Sequence, residues 1–191
     1  TLGLAYTLRQ DWDNAEREFK LCLKQTEQIG TAEFRIVSLS YLTVIYRQLS
    51  QKKLVNQFVE TSMKAAVEAN MKTYIALAKA NQSWLAWREG NVDETYKLGT
   101  GAIELWRDFP NPFPMQWLAY WPLIGVSYRL QNLTQTMEYI KAILAPQQVF
   151  SQQSLSGLMT SVVEVWEQGD DELVQTRLDE VLKLASQLNY L

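Results

Sequence analysis

The chain has 191 residues, 47% apolar and 20% charged, with 18 Lys+Arg against 21 Asp+Glu and a net charge of −3. That length fits one domain, the composition is too apolar for disorder, and the charge argues against a general nucleic-acid surface. The absence of histidine and the single cysteine, Cys22, exclude imidazole bases, His-paired nucleophiles, internal disulfides and Cys/His zinc sites.

Read from its start, the chain is organised by short polar breaks. They fall at Gln10-Asp11, Ser50-Gln51, Gly90-Asn91, Gln131-Asn132 and Gly169-Asp170, with first residues spaced by 40, 40, 41 and 38. A run with helical periodicity precedes and follows each break. After the second break the apolar set is Leu54, Val55, Phe58, Val59, Met63, Ala66 and Val67, one face of a 3.6-residue period. After the fifth it is Val174, Leu178, Val181, Leu182, Ala185 and Leu188. Asn91 with Glu94, and Asn132 with Gln135, have the spacing of capping boxes, and Asp11 and Asp170 suit the N-cap position. Longer connections are expected at Gly30, near Asn70, at 109–114 and at Pro146, where Gly, Asn and Pro end helices. The spacing therefore predicts helices over 1–9, 12–29, 32–49, 52–69, 72–88, 91–107, 114–130, 132–145, 152–168 and 170–190. No segment alternates as a strand does. The longest apolar run, 118–126, is too short to cross a membrane and holds Pro122. The first helical run has no charged n-region or cleavage site and is not expected to be a signal peptide, and the free cysteine leads to the expectation of a cytoplasmic setting.

Leu2-Gly3, Tyr6, Gln10-Asp11-Trp12, Ala15, Phe19 and Cys22 together resemble the tetratricopeptide (TPR) pattern. There, an aromatic on helix A precedes a tight turn, and small and aromatic residues follow on helix B. Later units keep the spacing: Val55, Thr95, Thr136 and Val174 stand where Ala15 does, and Val59, Gly99, Ile140 and Leu178 where Phe19 does. The period, near forty rather than 34, resembles the longer repeats of MalT-like bacterial regulators and related signalling ATPases. The resemblance implies an all-α fold, a right-handed α-α superhelix (TPR-like solenoid) of about five helix pairs. The units would be 1–30, 31–70, 71–110, 111–150 and 151–191 of one domain, expected to be a segment of a longer array. Stacking is required because one helix pair cannot bury both of its apolar faces.

By TPR position, helix A of each unit lines a concave face. That places Val44 and Arg47, then Trp84, Trp87 and Arg88, then Trp121, Tyr128 and Arg129, then Met159, Val163 and Trp166 on it. Two readings stand. The strip is a groove for a protein or peptide carrying an acidic group, since arginine pairs carboxylates bidentately and stacks on aromatic rings. Alternatively, Arg47, Arg88 and Arg129 meet the dipoles at helix C-termini and the aromatics are core. The segment 108–122 carries four of the five prolines and reads as a rigid aromatic platform or a self-packed loop, with Pro122 kinking its helix or lying in its first turns. Gly99 and Gly101, mid-helix, imply close helix approach.

No nucleotide fingerprint, metal-ligand spacing or paired-carboxylate site is present. Asp170, Asp171 and Glu172 read as helix-start chemistry, and Cys22 as a buried structural thiol. The expected function is a non-catalytic scaffold, without cofactor or metal, binding a protein or peptide. The alternative is an effector-sensing regulatory segment of a larger bacterial signalling protein, taking a small effector. Nucleic acid and membrane are not expected partners, and a homodimer through the array ends is.

Overall fold

The computed structural model describes residues 2–29, 31–150 and 152–191; the predicted connection at Gly30 lies outside them. Among the described residues the chain forms α-helices and no strand. These are α1 (Leu2–Leu8), α2 (Trp12–Ile29), α3 (Ala32–Gln48), α4 (Lys52–Glu68), α5 (Lys72–Arg88), α6 (Val92–Arg107), α7 (Trp117–Arg129), α8 (Leu133–Leu144), α9 (Gln153–Gln168) and α10 (Asp171–Gln187). Each helix packs on the next along the chain, and α5 also touches α3 and α7. None is long and apolar enough to cross a membrane.

The five breaks share one geometry. Gln10, Ser50, Gly90, Gln131 and Gly169 all have positive φ, between 55° and 78°. The residue after four of them donates its N–H five residues back: Asp11 to Tyr6, Gln51 to Tyr46, Asn91 to Ala86 and Asn132 to Ser127, at 2.9–3.0 Å. This is the Schellman way of ending a helix, and it consumes carbonyls that the last turn leaves open. The next helix starts at once. Asp11, Asn91, Asn132 and Asp170 accept from the N–H three residues on, at 3.0–3.3 Å. The reciprocal arm of the expected capping boxes is not formed. The Asn91 and Asn132 N–H groups already bond back into the preceding helix, and the Gln135 side chain turns to Glu138 instead.

Burial repeats with the same period. Ala15, Val55, Thr95, Thr136 and Val174 are all fully buried, as are, one turn later, Phe19, Val59, Ile140 and Leu178. At the corresponding place in α6, Gly99 lets α7 approach: a Cβ there would stand 2.8 Å from Leu123 Cγ and 3.1 Å from Ser83 Oγ. Gly101 does not share this role, because a Cβ there would meet only the flexible Lys79 chain at 3.7 Å. Cys22 is half-buried rather than enclosed.

Two boundaries differ from expectation. Helix α7 begins at Trp117, not at 114: residues 114–116 form a turn that leads into it, with Gln116 already at φ −61° and ψ −23°. The loop ahead of it packs on itself, with Phe113 stacked on Trp106 at 5.0 Å. It is also clasped to the α8–α9 connection. The Val149 N–H donates to the Pro114 carbonyl at 2.8 Å, and the Gln148 amide donates to the Phe113 carbonyl and accepts from the Trp117 N–H. Helix α10 ends at Gln187, not at 190. Asn189 adopts φ 62°, and the Tyr190 N–H returns to the Ala185 carbonyl at 2.9 Å. Residues 190–191 therefore leave the helix axis.

The two mid-helix glycines should respond oppositely to alanine. Gly99→Ala is expected to lower stability by about 1–3 kcal/mol through overpacking. Gly101→Ala should raise it by about 0.5–1 kcal/mol, since alanine is the better helix former and nothing obstructs it. Denaturant unfolding of the two variants checks both signs.

Candidate partner-binding site

The site begins with a missing donor. Pro122 is the sixth residue of α7 and has no N–H, so the Leu118 carbonyl four residues earlier has no intrahelical partner. Arg47, near the end of α3, supplies one: its Nη1 donates to the Leu118 carbonyl at 2.8 Å. Its Nη2 donates to the Tyr190 carbonyl at 3.1 Å. Arg47 is fully buried. Burial pulls its guanidinium down to about 9, still charged at neutral pH. The charge also lies over the Trp84 ring, 5.5 Å from its centroid, and Arg88 lies over the same ring at 5.4 Å. Two guanidinium groups thus flank one buried indole.

Arg88 repeats the role of Arg47 one unit on. Its Nη1 donates to the Leu191 main-chain oxygen at 2.9 Å, and its Nη2 reaches Ser50 Oγ at 3.4 Å. Asn189 completes the set, its amide donating to the Gln48 carbonyl at the end of α3, 2.9 Å away. Residues 189–191 are therefore held at the C-terminal ends of α3 and α5. Helix α10 reaches them by way of α7, where the Tyr128 hydroxyl donates to Asp179 Oδ1 at 2.7 Å. Among the described residues neither Arg47 nor Arg88 forms an ion pair.

The Tyr190 side chain enters an aromatic box. Its ring lies 5.6 Å from Trp117, 5.6 Å from Trp121 and 5.2 Å from Phe150, edge-on to Trp117 and Phe150. Such geometry favours the ring quadrupoles. Tyr190 is 5% exposed, and burial pushes its phenol up to about 12.

The expected site residues divide. Arg47, Trp84 and Trp121 are enclosed, so nothing from outside touches them while residues 189–191 are in place. Val44 and Met159 are likewise core, and Val163 is half-buried. Trp87 is half-buried and spaces α5 from α7: a Cβ on Gly125 would stand 2.7 Å from its ring. Trp166 is half-buried against the main core, and Tyr128 is committed to Asp179. Arg88 and Arg129 are exposed. The arginines of α3 and α5 are brought together around Trp84, whereas Arg129 joins neither. Sequence reasoning missed Trp117, Phe150, Gln48 and Asn189. The available signal was Asn189, a residue type that ends helices in the left-handed conformation.

No group of three or more His, Cys, Asp or Glu that could hold a metal occurs among the described residues. Comparison with family models, with characterised proteins and with solved structures finds no match.

Two outcomes follow. Arg47→Met should cost about 2 kcal/mol, because two buried carbonyls lose their donor. The loss should shrink by about 1 kcal/mol in a Pro122→Ala background, where the N–H restored at position 122 takes the Leu118 carbonyl. A denaturant double-mutant cycle measures the coupling. The second outcome concerns alkali. Tyr41, Tyr128, Tyr139 and Tyr190 are all raised to about 12, burial being the first cause in each. A raised folded pKa contributes stability that is complete below the ordinary tyrosine value and lost as pH climbs through the folded one. Arg47 has the opposite sign but is one group against four. Stability should fall between about pH 10 and 12, with phenolate absorbance rising together with the loss of helical circular dichroism.

Proposed function

We propose that this chain is a non-catalytic, TPR-like scaffold, a right-handed superhelix of five helix pairs, that captures a protein or peptide segment on the face of its odd-numbered helices. The capture of residues 189–191 by Arg47, Arg88, Gln48 and the aromatic box supports this reading above all else. The arginines take main-chain oxygens, which every peptide offers, and the box around Tyr190 selects an aromatic side chain. Two guanidinium groups without a carboxylate favour a segment carrying acidic groups. An incoming segment competes with residues 189–191 for the same donors. The same occupancy supports a second reading, an effector-sensing regulatory segment of a larger bacterial signalling protein, because a segment held from within is one that an effector can release.

A labelled peptide of residues 183–191 tests the first reading. Tyr190→Ala empties the box and should bind the peptide saturably, and roughly tenfold more tightly than the parent chain, whose own segment competes. Adding Arg88→Glu should abolish capture while circular dichroism stays unchanged, and Arg129→Glu, whose side chain joins neither arginine, should leave capture as it is. No binding by Tyr190→Ala, or binding indifferent to Arg88→Glu, ends the reading.

A further inference from the structure

A cavity of about 220 Å³ adjoins the box and shares Trp117, Phe150 and Tyr190 with it. Its walls are Tyr41 and Val44 of α3, Met115 and Trp117 of the proline segment, and Phe150 and Tyr190. It therefore forms where the first helices, the two clasped loops and the end of the chain meet. No charged side chain lines it. Its edge carries Leu8 and Val149, large apolar side chains that are 53% and 44% exposed. Beyond Leu8 the surface changes character: a second hollow of about 230 Å³ is lined by Arg9, Gln152 and Gln153 as well as Leu8 and Gln10. Arg9 is exposed and forms no ion pair among the described residues.

Volume and lining together fix the ligand chemistry. An apolar cavity of about 150 Å³ accepts one benzene, so this one accommodates a body of about ten non-hydrogen atoms. A charge inside it would be desolvated with no partner, which excludes an ionic group there. The neighbouring polar hollow supplies the place for such a group, with Arg9 as the cation. We infer that the cavity is a binding site for a small amphipathic molecule, its aromatic or short acyl body between Tyr41, Met115 and Tyr190 and its anionic head at Arg9. This assignment does not depend on peptide capture. It uses the cavity side of Tyr190 and none of the main-chain contacts made by Arg47 and Arg88.

Octanoate is the probe, with octan-1-ol as its uncharged counterpart, added to the full chain. Trp12 and Trp117 line the cavity, so tryptophan emission reports occupancy, and calorimetry gives the stoichiometry. Octanoate should bind saturably at one site. Arg9→Ala should weaken it about threefold and leave octan-1-ol unaffected, the size expected for an exposed charge pair. Val149→Trp, a substitution at the exposed rim, should block entry and weaken both probes at least about tenfold. Met115→Trp should do the same from inside by filling the volume. If octanoate shows no saturable binding at millimolar concentration, or if both tryptophan variants bind like the parent, the assignment is overturned. If octan-1-ol binds as tightly as octanoate and Arg9→Ala changes neither, the anionic head is overturned.

Discussion

Pro122 leaves the Leu118 carbonyl of α7 without its helical partner, a defect that ordinarily costs a helix about 3 kcal/mol or more. The buried Arg47 donates to that carbonyl and, with its other nitrogen, to the Tyr190 carbonyl, so units two and four and the end of the chain meet at one guanidinium. Neither partner is tolerable alone. An unpaired carbonyl in the core and an unpaired buried charge both carry desolvation penalties, and the hydrogen bond between them lowers both. The Trp84 ring beneath the guanidinium supplies a face for a cation that has no carboxylate. The two hydrogen bonds span 71 and 143 residues of chain, so they tie α3 to α7 and to residue 190 rather than stabilising any one hairpin.

The local architecture was legible because it is local. A left-handed residue, a polar N-cap and a small buried residue four positions on recur at each break, and each needs only near neighbours to act. Gln10, Ser50 and Gln131 occupy the left-handed region without being glycine, so spacing rather than residue type identified them. The reading failed where two signals competed. At 114–117 apolar periodicity ran on, but residues 114–116 form a turn ahead of the helix. At 188–190 periodicity again ran on, and Asn189 ended the helix. Both failures bring residues to the Arg47 region, the first by placing Trp117 at a helix start and the second by freeing Tyr190.

The site was half legible. The arginine row was visible as a pattern, and two of its members, Arg47 and Arg88, come together over the Trp84 ring. Their partner was not visible, since nothing in the spacing of Arg47 or Arg88 tells that residues 189–191 return to them across more than a hundred residues of chain. The aromatic strip failed for a related reason. Helical periodicity gives the face a side chain occupies but not what covers that face. Trp121 packs against Tyr190 in the main core, and Trp84 is enclosed in the cluster of Ala15, Phe19, Val55 and Val59.

Tyr190 belongs to two places at once, as a ring in the aromatic box and as a wall of the apolar cavity. On the proposed readings the two occupants are therefore linked. A small ligand in the cavity gains contact with Tyr190 only while residues 189–191 are docked, so its binding stabilises the docked segment. A peptide that displaces the segment removes that wall, and the ligand loses affinity by the same factor by which it weakens the peptide, since coupling between equilibria is reciprocal. The sign follows from the shared ring and needs no rearrangement of the helices. It also defines the exception: a partner that places its own aromatic side chain in the box rebuilds the wall, and for that partner the coupling vanishes.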